Sequence, residues 1–153
     1  MTRIGIVEAK KEAARIIASI MASRAITAPK TYGANCIETL IIDAEDLQVL
    51  ADAIELSAKD KPPYLDTAYE LDARNVRNSD CVLLIGVTAN PRNIKEPMDC
   101  GYCSYLTCER LSAAIKRKKA SHKGPLCILQ AVNLGIALGS AAKVASDLNV
   151  DNR

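Results

Sequence analysis

Aromatic residues are nearly missing from this sequence: its 153 residues carry five tyrosines, no phenylalanine and no tryptophan. Sequence-tolerant binding of single-stranded nucleic acid rests on bases stacked against aromatic rings, so no nucleic-acid partner is expected. The core must be assembled from Ile, Leu, Val and Ala. Histidine is as scarce. His122 is the single copy, in a polar stretch, and neither paired histidines nor a Ser-His-Asp constellation is visible. A phosphate loop is missing too, because "GVTANP" lacks the Gly-Lys-Ser/Thr ending. Charge is nearly balanced at +2, so no strong global field recruits a polyanion. The start, "MTRIGIVEAKKEAAR", lacks the apolar core of a signal peptide. No run reads as long enough to span a membrane. These absences predict a cytoplasmic protein with no membrane partner.

What is present is ordinary in bulk, 49% hydrophobic and 25% charged, as in soluble globular domains. The length suits one domain over residues 1–153 that buries a sizeable core without disulfides. Residues 7–26 read as a helix, with Ala13, Ile16, Ile17, Ile20 and Met21 at helical spacing. "TAPKTYGANC" reads as a loop. "CIETLIID" (36–43) reads as a strand, with Asp43 placed to cap the next helix, 44–59. That helix puts Leu47, Leu50, Ala51 and Ile54 on one face. "KDKPPY" breaks it, and a short helix follows over 66–77. The continuous apolar run "CVLLIGV" (81–87) predicts a strand covered on both faces. Further helices are predicted over 109–119 and 129–148. The order predicts one α/β or α+β domain, a mixed sheet with flanking helices.

Chemistry concentrates in "DCGYCSYLTCERL" (99–111). Cys100, Cys103, Cys108 and, after a basic stretch, Cys127 give the spacing Cys-x2-Cys-x4-Cys-x18-Cys. In a compartment that keeps thiols reduced, six cysteines point to metal or catalysis before disulfides. Thiolates are soft ligands suited to zinc, copper(I) and iron–sulfur clusters, and four of them close a cluster. A cluster is larger than one ion, so a compact loop can wrap one side while a distant ligand closes the other. Gly101 allows close backbone approach and positive φ. Structural zinc competes, but its four-cysteine sites use two close pairs, and Cys127 has no neighbouring cysteine. His122 is the only substitute ligand nearby. Cys36 and Cys81 read as small core hydrophobes.

Here the residues carry a resemblance. "CGYCSYLTC" with a distant cysteine resembles the [4Fe–4S] module of corrinoid iron–sulfur and related electron-transfer proteins, with Ser104 where a second glycine is common. More of the chain, from "RAITAPKTYGANCIETLII" through "RNVRNSDCVLLIGV" to "NLGIALGSAAKVASDLNVDNR", is similar to a family of uncharacterised prokaryotic proteins described as containing a ferredoxin domain. The resemblance implies one [4Fe–4S] cluster on the four cysteines, a ferredoxin-like segment at 97–128, and one-electron transfer to a redox protein partner. The outer pieces also resemble, remotely, the nitroreductase flavoprotein fold, which implies FMN and an oxidoreductase as the alternative. Lys30 stands where that fold carries serine, and its downstream Gln-Pro-Trp is absent. Relatives run on past a segment like Asp151–Arg153, which implies a shortened C-terminal part. The third reading is a non-catalytic module stapled by zinc. A homo-oligomer is compatible with all three.

Two features read more plainly. "KRKKASHK" (116–123) is the strongest basic run and suits a solvated helix end or an acidic redox partner. Gly135 and Gly139, among several alanines, predict close helix packing that offsets their cost to the helix, ~1 kcal/mol each.

Overall fold

The computed structural model describes residues 3–91, 96–114 and 124–153. The basic run 116–123, with His122, lies outside them. Helix α1 spans Ile6–Thr27, strand β1 Ile37–Asp43, α2 Glu45–Ala58, α3 Asp66–Arg77 and β2 Cys81–Val87. A short α4, Cys108–Ala113, and a long α5, Ile128–Asp147, complete a single mixed α/β domain. Among the described residues the sheet is two antiparallel strands rather than a wider mixed array, with Ile37 opposite Val87 and Asp43 opposite Cys81. The α2–α3 hairpin connects β1 to β2, and α1 packs against α5 and both strands.

The α1–α5 contact is made by alanine. Ala18, Ala22 and Ala25 are buried on α1, and Ala137, Ala141 and Ala145 on α5. Spacings of three and four residues align each set on one face, and side chains of one methyl let the two backbones approach closely. The expected α1 face is corrected accordingly: Ile16 and Ile20 are 55% and 40% exposed. Helical periodicity locates a stripe but weights large aliphatics, whereas this contact selects small ones. The α5 glycines are likewise not in the contact. Gly135 and Gly139 are exposed, and a Cβ on either would meet nothing within 4 Å.

Other expectations shift for local reasons. Asp43 ends β1 and pairs with Arg15 at 2.7 Å, instead of capping α2; Ala44 takes the cap position at φ +50 with no side-chain bond. Strand β2 is covered on one face only. Cross-strand partners Leu40 and Leu84 are 59% and 40% exposed, because a two-stranded ribbon has one helical layer behind it. Helix α4 stops at Ala113, since Ala114 is extended at ψ 142°. By length and composition α5 is apolar enough to cross a membrane, though 28% buried; no charge interrupts the chain between Lys123 and Lys143. The expected α2 face holds, with Leu47 and Ala51 buried.

Candidate metal centre

Residues 99–108 fold into a loop because their own side chains close it. The Cys108 N–H donates to Asp99 Oδ1 at 2.6 Å, joining the two ends across the cysteine segment. Inside, the Ser104 N–H donates to the Gly101 carbonyl at 2.9 Å, a tight turn that presents Cys103. Gly101 sits at φ +73, Ser104 at +66 and Asp99 at +43. Glycine adopts that region freely; L-residues do so at a cost. The turn thus gives Ser104 the conformation for which the related module carries glycine. Thr107 caps α4 by accepting from the Arg110 N–H at 3.2 Å, which holds Cys108 in the first turn.

Cys127 arrives from the other side. It is the N-cap residue of α5 and its N–H donates to the Ala89 carbonyl, just past β2, at 2.9 Å. All four cysteines line one open-mouthed cavity of about 580 Å3, counting the space at its mouth. Pro91, Met98, Leu111 and Leu129 form its apolar wall. Thr31 and Tyr32 close a further side, from the turn Thr31–Gly33 after α1. Cys36 and Cys81 are outside the lining. Cys36 is buried with Ala25, Ala28 and Ile37, and Cys81 Sγ faces the Ala14 carbonyl at 3.6 Å. All six thiols are free.

Among the described residues no three His, Cys, Asp or Glu side chains converge tightly enough to hold a single ion. The four cysteines share a cavity lining without forming a single-ion cage among the described residues. A tetrahedral zinc with Zn–S of ~2.3 Å would bring its sulfurs within roughly 3.8 Å of one another. Burial pushes the Cys108 thiol upward; the Asp99 backbone opposes this, while the Asp99 carboxylate and Cys127 add to it. Ligation requires the thiolate, so occupation of the site would release protons.

Two residues that the sequence reading passed over complete the site. Gln130 and Asn133, each 3% exposed, line the cavity from α5. Their signal was a pair of amides three residues apart in an otherwise apolar helix, just after a candidate ligand. Lys30, by contrast, turns away: its Nζ donates to the carbonyls of Ile26 and Ala28, the latter at 2.7 Å, closing the end of α1.

Residues 123–153 match the model of a family described as uncharacterized protein containing a ferredoxin domain. Over 144 residues the chain is 37% identical to an uncharacterized protein of Archaeoglobus fulgidus, covering 94% of this chain and 74% of that one. The chain belongs to one family with that archaeal protein, and its C-terminal residues carry the ferredoxin-domain match. The family match takes in Cys127 and all of α5, while the Cys100–Cys108 loop precedes it. No solved structure matches the chain, the nitroreductase fold included. The ferredoxin description supports an iron–sulfur, electron-transfer role at a coarse level.

Proposed function

We propose that Cys100, Cys103, Cys108 and Cys127 hold one [4Fe–4S] cluster and that the protein passes single electrons to a redox partner. One observation carries this reading: thiols separated by up to 27 positions, Cys100 to Cys127, line the same cavity. A cavity lined by four cysteines suits a group larger than one ion, and four thiolates are a complete cluster ligand set. Such a cluster supplies a reversible one-electron couple when bound. The protein's own residues do the rest. Asp99 and Thr107 hold the loop ends, the Gly101–Ser104 turn aims Cys103, and the apolar wall limits water around the sulfurs, which helps set a potential. Around the site Met98, Tyr102 and Leu106 are 47%, 80% and 75% exposed, an apolar rim on which the redox protein would dock. Free thiols suit a reducing compartment, and the proposed location is the cytoplasm.

The test is anaerobic purification with assay of iron and acid-labile sulfide, then EPR of the dithionite-reduced protein. About four irons and four sulfides per chain with a reduced-cluster signal are expected. A colourless protein with stoichiometric zinc would favour the structural zinc module and overturn the cluster.

A second reading is favoured by Thr31 and Tyr32, from the loop that resembles a flavin-binding segment, lining the same cavity. FMN beside the cluster would make the protein a nitroreductase-like oxidoreductase with the cluster as relay. Lys30 stays engaged with α1 in that reading, so flavin phosphate would need other donors. Flavin absorbance retained after FMN reconstitution and desalting would support it, and loss of all FMN on desalting would remove it.

A further inference from the structure

Resting on the cluster reading above, we infer that Gln130 and Asn133 are positioning residues that preset Cys127 in the cluster-free chain, so that the three-cysteine loop closes onto a fixed fourth sulfur. Asn133 uses both ends of its carboxamide. Its Oδ1 accepts from the Thr31 N–H at 3.0 Å and the Thr31 hydroxyl at 3.3 Å. Its Nδ2 donates to Gln130 Oε1 at 3.1 Å and faces Cys36 Sγ at 3.5 Å. Gln130 Nε2 in turn donates to the Asn90 carbonyl at 3.2 Å. Two adjacent amides thereby tie α5 to the Thr31 turn, to the entry of β1 and to the chain leaving β2.

Cys127 sits within this strap. Its N–H is held by Ala89, next to Asn90, and its carbonyl accepts from the backbone N–H of Gln130 at 3.1 Å and of Ala131 at 3.2 Å. Buried amides are costly unless every group is paired, and here each is. A satisfied buried network is rigid and specifies one arrangement. Among the described residues no buried side-chain amide braces the opposite wall, where Cys100, Cys103 and Cys108 are each half-buried and the exposed Asp99 closes the loop. The site is therefore asymmetric: one sulfur beside a buried amide strap and three on a partly exposed, hydrogen-bonded loop. The amide dipoles also face the cavity, where outer polar groups tune a bound group.

Maleimide labelling of the anaerobic cluster-free protein, read site by site by mass spectrometry, tests this directly. In the unaltered protein Cys127 should label more slowly than Cys100, Cys103 and Cys108; equal rates would overturn the inference without any variant. Gln130→Met and Asn133→Leu should each raise Cys127 labelling about tenfold, the loss of one hydrogen-bond unit, while Cys81 labelling stays unchanged and reports that the fold is intact. Asn133→Asp, which keeps the acceptor for Thr31, should show a smaller rise. After cluster reconstitution, Gln130→Met should shift the reduction potential or the g values, a readout that loss of packing alone would not move. Cys127 labelling within twofold of the parent in both variants, with an unchanged potential, refutes the positioning role. Failure of the parent to take up iron and sulfide refutes the cluster reading instead, and the labelling order still decides the positioning of Cys127.

Discussion

The turn inside the cysteine loop permits a paired test in which two substitutions should act in opposite directions. Gly101 and Ser104 both occupy left-handed backbone, at φ +73 and +66, and are joined by the bond from Ser104 N–H to Gly101 O. A Cβ on Gly101 would meet nothing within 4 Å, so Gly101→Ala introduces backbone strain and no clash. The left-handed region costs an L-residue about 1–2 kcal/mol. Reduced freedom of the unfolded chain returns about 0.4–1 kcal/mol. The net is about 1 kcal/mol against the closed loop, or roughly a fivefold loss. Ser104→Gly reverses both terms and should favour the closed loop by about 0.5–1 kcal/mol. Two assays read the effect: iron and sulfide uptake by anaerobic cluster-free protein, and thermal denaturation, where about 1 kcal/mol moves the midpoint by about 2–4 °C in a chain of this size. The double variant should lie near the parent. If both single substitutions move uptake the same way, or neither moves it, the turn geometry does not govern the site.

Asp99→Ala should loosen the loop by about 1–2 kcal/mol, since it removes the acceptor for Cys108 N–H and places alanine at φ +43. Asp99→Asn keeps an acceptor and should retain most of the uptake, which iron titration would show. Gly135→Ala and Gly139→Ala should each stabilise α5 by about 1 kcal/mol, because both sites are open; denaturant midpoints check this, and destabilisation would place those glycines in a contact. On α3, Arg77 donates to Glu55 Oε1 at 2.6 Å and Asp52 Oδ1 at 2.9 Å. These bonds lower both carboxyl pKa values and raise that of Arg77. Groups with depressed folded pKa values add stability above the ordinary carboxylate range, about pH 4, and lose it as pH falls through their folded values. Arg77→Met should flatten that acidic limb of the melting curve and leave the alkaline limb unchanged.

Secondary structure was largely legible because its causes are local. The helix over 66–77 and the strand over 81–87 follow from proline breaks, turn residues and apolar runs, and they occur at those positions. The cysteine spacing was equally open to reading, since ligand chemistry is written in residue type. Burial was less so. The sequence marks Ile16 and Ile20 as part of a core stripe, yet the buried positions of α1 are Ala18, Ala22 and Ala25; Ala18 and Ala22 lie two residues further on, about 200° round the helix, because the side chain that permits close approach is the smallest one. Asp43 has the composition of a cap, yet it pairs across the fold with Arg15 at 2.7 Å, so a tertiary ion pair outweighs its local capping role.

By itself the sequence determined a single α/β chain, a loop crowded with sulfur, and a distant Cys127 as its natural complement. Which thiols share a space is a property of the folded chain. The turn after α1, the segment after β2, the cysteine loop and the start of α5 are far apart along the chain, and packing of α1 on α5 brings them to one cavity. That convergence separates Cys100, Cys103, Cys108 and Cys127 from Cys36 and Cys81. It also gives Gln130 and Asn133 their work: a buried amide needs partners, and only tertiary structure supplies Asn90 and Thr31 at hydrogen-bonding distance.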